Sequence, residues 1–124
     1  MRDRAYFGTS TTNSNAKGGN VIEVTMKNFE TDVLKSKVPV FVDFYADWCG
    51  PCRLLSPVIQ DVVKTNGKVN LAKINTDEEG ELAQKYEVAA LPTVILFKDG
   101  VDVCKIVGFQ RKEKYLEIAK EHTD

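Results

Sequence analysis

Apolar positions along the chain follow two spacings, one typical of buried strands and one typical of helices. Residues 38–45 form a nearly unbroken apolar, β-branched and aromatic run, which indicates a strand covered on both faces. Residues 51–66 predict a long helix with these apolar positions at helical spacing: Leu54, Leu55, Val58, Ile59, Val62 and Val63. Pro51 fits the first turn of that helix, whereas Pro57 lies inside it and should kink it.

The other elements follow from the same two spacings. The sequence predicts strands at residues 21–24, 69–75, Thr93–Lys98 and Val101–Val107, and helices at residues 28–34, 79–86 and Lys112–Glu121. Asp99 and Gly100 form the expected hairpin turn between the last two strands. This order predicts an α/β sandwich, with a mixed central sheet flanked by helices and one domain over residues 21–124.

Residues 1–20 differ from the rest because they are rich in Ser, Thr, Asn and Gly and lack a periodic apolar pattern. We therefore predict a mobile extension. Arg2, Arg4 and Lys17 outnumber Asp3, so this basic, hydroxyl-rich start resembles the remnant of a mitochondrial transit peptide, with an idle tail as the alternative. The pattern slightly favours the mitochondrial matrix over the cytosol.

Composition narrows the function classes. The 124 residues are 43% apolar, which supplies one sizeable core, and a net charge of -1 gives no reason to expect nucleic acid or a membrane surface as partner. No apolar run approaches the ~18 residues that span a bilayer. The three cysteines follow no apolar leader segment, so we expect a reducing intracellular compartment.

The candidate chemistry lies at Trp48-Cys49-Gly50-Pro51-Cys52, where the buried strand ends and the long helix begins. Unpaired amide hydrogens and the helix dipole stabilise a Cys49 thiolate there, and the thiolate is the nucleophile in disulfide exchange. Cys52 lies one turn later, close enough to resolve a mixed disulfide, and should be the more buried thiol. Gly50 and Pro51 leave the Cys49 sulfur approachable, and Trp48 is expected on the surface of the site.

Two alternatives compete with redox chemistry. A zinc site needs two further ligands, and only Cys104 and His122 are available, neither paired with another ligand at metal spacing. A permanent structural disulfide between Cys49 and Cys52 would close a four-residue loop, which constrains the unfolded chain little. Both alternatives are disfavoured, and we expect no bound metal.

Asp43 interrupts the apolar run, so its carboxylate is expected near the sheet centre, where burial costs several kcal/mol unless the group is paired or protonated. Lys73 is the matching polar residue in the next strand. One interpretation is a buried structural ion pair. The other makes Asp43 a general base that deprotonates Cys52, with Lys73 tuning its pKa.

Leu91-Pro92-Thr93 precedes an apolar strand. Pro92 can simply start that strand, or its peptide bond can be cis and present the Leu91 backbone to an extended substrate. The sequence alone leaves both open.

Four stretches in order, VDFYADWCGPCR, AKIN, LPTVILFKDG and KIVGF, resemble the thioredoxin family over residues 21–121. The resemblance implies a thioredoxin fold and a protein-disulfide reductase active in cell redox homeostasis, with Cys49 attacking, Cys52 resolving and a reversible disulfide between them. It also implies that Asp43 is the buried acid and Lys73 its partner. The implied substrate-docking residues, with Pro92 in the cis form, are Trp48, Gly50, Pro51, Leu91, Pro92 and Gly108.

The resemblance further implies a monomer that binds no cofactor and is reduced by NADPH through a thioredoxin reductase. Implied targets include peroxiredoxins, methionine sulfoxide reductases and ribonucleotide reductase. A non-catalytic binding module is the alternative class, and an isomerase or oxidase is a third. The uncharged Gly50-Pro51 pair favours a reductase, because isomerase-like relatives often carry His there.

Two positions depart from the family pattern. Tyr45 stands where many members have Trp, which should alter packing and fluorescence but not the mechanism. Cys104 lies outside the active-site motif, and we expect a buried small hydrophobe, with regulatory thiol chemistry as the alternative.

Overall fold

The structure is a computed structural model that describes residues 17–123. The predicted extension therefore lies outside the described residues up to position 16. Gly19 and Asn20, which that prediction includes, already bond to the chain around the third strand: the Gly19 N–H donates to the Val69 carbonyl over 2.7 Å, and the Asn20 N–H donates to Asn70 Oδ1 over 3.0 Å.

Nine elements follow one another along the described part of the chain. They are β1 Val21–Glu23, a short π-helical segment α1 at Glu30–Leu34, β2 Val40–Tyr45, α2 Gly50–Asn66, β3 Asn70–Asn75, α3 Gly80–Lys85, β4 Thr93–Lys98, β5 Val101–Val107 and α4 Lys112–Glu121. The predicted order of elements is confirmed, with bounds that differ from the expected ones by at most two residues.

The strands form one mixed sheet in the order β1-β3-β2-β4-β5. Strands β1, β3 and β2 are parallel, whereas β4 is antiparallel to both β2 and β5. Strand β2 is therefore central, and Asp43 on it is flanked by Lys73 of β3 and Val94 of β4. This register explains why the apolar run of β2 is buried on both faces.

Two apolar layers cover the sheet. On one face α2 and α4 pack against a cluster that includes Phe41, Leu55 and Tyr115. A second cluster lies on the other face of the sheet. It includes Phe29 beside α1, Leu82 of α3 and Val42, whose side chain points away from that of Phe41. The predicted α/β sandwich is confirmed.

Helix α2 carries the candidate site at its start. Cys49 is its N-cap and Pro51 lies in its first turn, where no amide hydrogen is required. The helix continues through Pro57 and ends at Gly67, whose φ of 73° is the left-handed conformation that favours glycine. The β4–β5 turn also uses left-handed backbone conformations, because Asp99 and Gly100 both adopt a positive φ as a tight hairpin requires.

Candidate active site

The Cys49 sulfur caps helix α2. Cys49 has an extended backbone (φ -87°, ψ 110°), and its sulfur accepts a hydrogen bond from the Cys52 N–H over 3.2 Å. The Cys52 amide hydrogen and the positive end of the helix dipole therefore meet at this sulfur. The arrangement stabilises a thiolate at Cys49, which is the reactive form in thiol–disulfide exchange.

Cys49 and Cys52 are joined by a disulfide, with their Cα atoms 5.3 Å apart. The two residues are 5% and 3% exposed, so Cys52 is the more buried one by only a small margin. They pack with Ala46 and are flanked by Tyr45 and Leu91. The pair can accept two electrons as a disulfide and donate them as a dithiol.

The segment before β4 lies beside this pair. The Leu91–Pro92 peptide bond is cis, and Leu91 contacts the cysteine cluster. The Gly108 N–H donates to the Pro92 carbonyl over 2.8 Å, and Gly108 adopts a φ of 90°. The structure thus brings together three of the residues that the sequence analysis expects in docking: Leu91, Pro92 and Gly108.

Trp48 projects into solvent next to the disulfide, with 70% of the residue exposed. Its indole N–H donates to the Asp77 carboxylate over 3.0 Å. Sequence reasoning missed Asp77, which follows β3 and meets Trp48 only because β2 and β3 end at the same edge of the sheet. This hydrogen bond ties the exposed indole to the end of β3.

Asp43 is 1% exposed, and neither carboxylate oxygen has a hydrogen-bond partner among residues 17–123. Burial raises the pKa of Asp43 from 3.8 to about 7, because the surroundings disfavour the ionised form. The positive charge of Lys73 opposes this rise in the pKa, and the negative charge of Glu23 adds to it. The carboxyl group can therefore both release and accept a proton near neutral pH.

Lys73 acts on Asp43 through space. Its ammonium group donates to the Ser56 hydroxyl over 3.0 Å and lies 4.7 Å from the centre of the Tyr45 ring. Within the described part of the chain, Lys73 therefore does not hydrogen-bond the Asp43 carboxyl group and acts on it as a nearby charge. Ser56 was missed, although its position one turn after Cys52 places it on the same face of α2.

A cleft of about 460 Å³ connects these groups with solvent. Its lining includes Asp43, Cys52, Ser56 and Lys73. A proton that leaves Cys52 therefore has a carboxylate available within the same cleft.

Metal clusters and membrane-spanning helices are both absent from residues 17–123. No group of three or more His, Cys, Asp or Glu side chains in that range could hold a metal ion. No helix there combines the length and apolar character that crossing a bilayer requires.

Paired cysteines at a helix start on this α/β fold define a thiol–disulfide oxidoreductase. Comparison with known proteins supports that class: the thioredoxin family model matches residues 20–121. A thioredoxin of Staphylococcus saprophyticus is 44% identical over 103 residues, which cover 82% of this chain and 97% of that relative. A thioredoxin of Rickettsia bellii is 46% identical over 95 residues, 76% of this chain and 90% of that relative.

Among solved structures, a mutant thioredoxin from Halobacterium salinarum NRC-1 superposes with a TM-score of 0.79 at 35% identity, covering 86% of this chain and 93% of its own. The chain belongs to the thioredoxin family. The predicted resemblance, fold and redox class are therefore confirmed. Members of this family generally bind no cofactor.

Proposed function

We propose that this protein reduces disulfide bonds in other proteins. The observation that carries the proposal is the Cys49 sulfur at the N-cap of α2, which accepts the Cys52 N–H and has a stabilised anionic form. In the dithiol state the Cys49 thiolate attacks one sulfur of the target disulfide. The target's other sulfur leaves as a thiolate and takes a proton from solvent.

The mixed disulfide is then resolved by Cys52. Asp43 takes the Cys52 proton, and the Cys52 thiolate attacks the Cys49 sulfur. The bond between Cys49 and the target breaks, and the target's second sulfur leaves as a thiolate that takes a proton from solvent. The target is thereby released as a dithiol, and this chain keeps the Cys49–Cys52 disulfide. The cleft that Asp43 and Cys52 share supports this transfer, and Lys73 tunes the pKa of Asp43 by its charge.

Docking of the target involves the surface around the sulfur pair. The proposed surface comprises Trp48, Gly50, Pro51, Leu91, Pro92 and Gly108. Exposure of Trp48 and contact of Leu91 with the cysteines support this role. An extended target segment there would place its disulfide against the Cys49 sulfur.

The donor of electrons follows from the family. We propose that a thioredoxin reductase restores the dithiol with two electrons from NADPH. Peroxiredoxins, methionine sulfoxide reductases and ribonucleotide reductase are proposed targets of the reduced form. The mitochondrial matrix is the favoured location over the cytosol, and imaging of the tagged full-length chain tests it.

Reduction of insulin disulfides tests the proposed activity. We expect turnover with dithiothreitol for the intact chain, no turnover for Cys49→Ser, and a stable mixed disulfide with the target for Cys52→Ser. Cys104→Ser is the matched control and should keep the full rate, because Cys104 is outside the sulfur pair. Full turnover by Cys49→Ser would refute the proposal, and a non-catalytic binding module would be silent in every form.

The reduction potential of the pair tests the direction of transfer. A reductase is expected at roughly -270 mV, whereas a strong oxidant of this type lies at roughly -120 mV. A value near the second figure would refute the reductase role while preserving the redox class.

A further inference from the structure

Tyr115 is a buried polar residue that the redox cycle above does not use. It lies on α4 and is fully buried. Its ring packs edge-on against Phe41, with ring centres 5.8 Å apart and planes at 87°. Phe41 precedes Asp43 by two residues on β2, so both side chains point to the same face of the sheet. Tyr115 and Asp43 therefore occupy the same apolar layer, beneath α2 and α4.

Unsatisfied hydrogen bonding is concentrated in this layer. Within residues 17–123, the buried side-chain nitrogen and oxygen atoms that lack a partner are Asp43 Oδ1, Asp43 Oδ2 and the Tyr115 hydroxyl. A buried polar atom without a partner is costly because it has lost its hydrogen bonds to water, so native proteins rarely keep one. The two residues carry complementary groups, since a carboxylate only accepts and a phenol can donate.

A phenol suits Asp43 in both of its protonation states. It donates a hydrogen bond to the carboxylate, and after proton transfer it accepts one from the carboxylic acid. A methyl group at position 115 offers neither role. Hydrogen bonds to an ionised acceptor are also stronger than those between neutral groups.

We propose that Tyr115 is a positioning residue for disulfide exchange, whose hydroxyl reaches the Asp43 carboxyl group through one bridging water. While Asp43 is ionised, Tyr115 donates to this water, which in turn donates to the carboxylate and stabilises the base that will take the Cys52 proton. Once the proton has moved from the Cys52 sulfur to Asp43, the direction reverses: the new carboxylic acid donates to the water, and the water donates to the Tyr115 oxygen. Tyr115 keeps its own proton throughout. The inference rests on the proposed role of Asp43 as the base.

Among the described residues, no surrounding group donates a hydrogen bond to Asp43. Each element around Asp43 contributes one or two residues. The strands contribute Glu23 from β1, Lys73 from β3 and the apolar Val94 from β4, and the helices contribute Cys52 and Ser56 from α2 and Tyr115 from α4. Cys104 of β5 faces Tyr115. Lys73 acts only through its charge, since its ammonium is bonded to Ser56. Burial, then the charge of Asp43, then Cys104 raise the pKa of Tyr115, so the phenol remains protonated and able to donate at neutral pH.

Tyr115→Phe tests the inference because it removes the hydroxyl and keeps the ring on Phe41. Tyr86→Phe is the matched control, since Tyr86 packs against the layer on the opposite face of the sheet. The readout is the titration of the Asp43 side-chain carboxyl carbon by NMR in the reduced full-length chain. We expect the Asp43 midpoint to rise by about one pH unit in Tyr115→Phe, because the ionised form loses a donor, and to stay unchanged in Tyr86→Phe.

A second readout separates this inference from the proposed function. The pH dependence of mixed-disulfide resolution should follow the Asp43 midpoint, and Tyr115→Phe should have no further effect on it in an Asp43→Asn background. An unchanged or lowered Asp43 midpoint in Tyr115→Phe overturns the inference, whatever Asp43 does in the cycle. A raised midpoint together with a pH profile that Asp43→Asn leaves unchanged refutes the role of Asp43 as base, and with it the positioning role.

Discussion

The ammonium group of Lys73 donates its hydrogen bond to the Ser56 hydroxyl over 3.0 Å, which holds the cation on helix α2 and off the Asp43 carboxylate. Had Lys73 bonded the carboxylate, the pKa of Asp43 would lie well below neutral pH. Because the charge acts only through space, burial dominates and the pKa stays at about 7. A group that titrates there is suited to exchange a proton with a thiol at cellular pH.

Removal of the Lys73 charge should raise the pKa of Asp43. Lys73→Met keeps much of the side-chain volume but abolishes the charge that lowers the pKa of Asp43. We expect the Asp43 midpoint to rise above about 7, and resolution of the mixed disulfide at pH 7 to slow severalfold. NMR titration and stopped-flow kinetics measure both quantities. Lys64→Met, on the exposed side of α2, is the control, and an unchanged Asp43 midpoint in Lys73→Met would contradict the assignment.

The stability of the protein should depend on pH through Asp43. Between pH 3.8 and about 7 the unfolded chain has lost the Asp43 proton while the folded chain keeps it, so wild-type stability falls as the pH rises through this window. Above this window, the raised pKa of Asp43 lowers the free energy of unfolding of the wild type by about 4 kcal/mol. Asp43→Asn lacks this loss, so its stability relative to wild type should increase from pH 4 to pH 8.

Urea unfolding at both pH values measures this change. Asp61→Asn is the matched control, because Asp61 is an exposed carboxylate on α2. A difference between Asp43→Asn and wild type that is the same at pH 4 and pH 8 would show that the Asp43 carboxyl is not buried as described.

Trp48 should depend on Asp77 for its orientation. Asp77→Ala removes the acceptor of the indole N–H, so the exposed ring should sample more rotamers. We expect a three- to tenfold loss of kcat/KM with a protein disulfide and little change with a small aromatic disulfide. Trp48 is the only tryptophan in the chain, so its fluorescence anisotropy reports the ring directly. Asp61→Ala serves as control, and anisotropy equal to wild type in Asp77→Ala would argue against this role.

Replacement by alanine should change the stability of the fold differently at two glycines. Gly67 ends α2 with a φ of 73°, where a Cβ is strained, so Gly67→Ala should destabilise the fold by about 1 kcal/mol. Gly80 begins α3, and a Cβ there would meet open space, so Gly80→Ala should be neutral or slightly stabilising. Thermal unfolding compares the two variants, and equal effects would contradict this account.

Most of the fold was predictable because its signals are local. The apolar run of β2, the helical spacing of α2 and the Asp99-Gly100 turn each specify their own element. The π-helical form of Glu30–Leu34 was not predictable, since its apolar spacing does not differ visibly from that of an α-helix. Strand starts also shifted, as at β2, where residues 38 and 39 lie outside the strand.

The site was predictable where its residues are contiguous. Cys49 and Cys52 share one motif, and Asp43 stands out because it interrupts an apolar run. Ser56 and Asp77 were missed because an ordinary polar residue gives no signal in the sequence. Only the folded structure shows that Ser56 meets Lys73 and that Asp77 meets Trp48. A single sequence does not contain those distances.

The Cys49 sulfur, which caps the start of α2, is also the atom whose covalent bonds change in each step of disulfide exchange. Every gain or loss of electrons therefore alters the acceptor that holds the leading amide of a 17-residue helix. The redox state of the cysteine pair is therefore coupled to the local stability of the helix start. The hydrogen-exchange rate of the Cys52 amide should differ between the disulfide and dithiol forms.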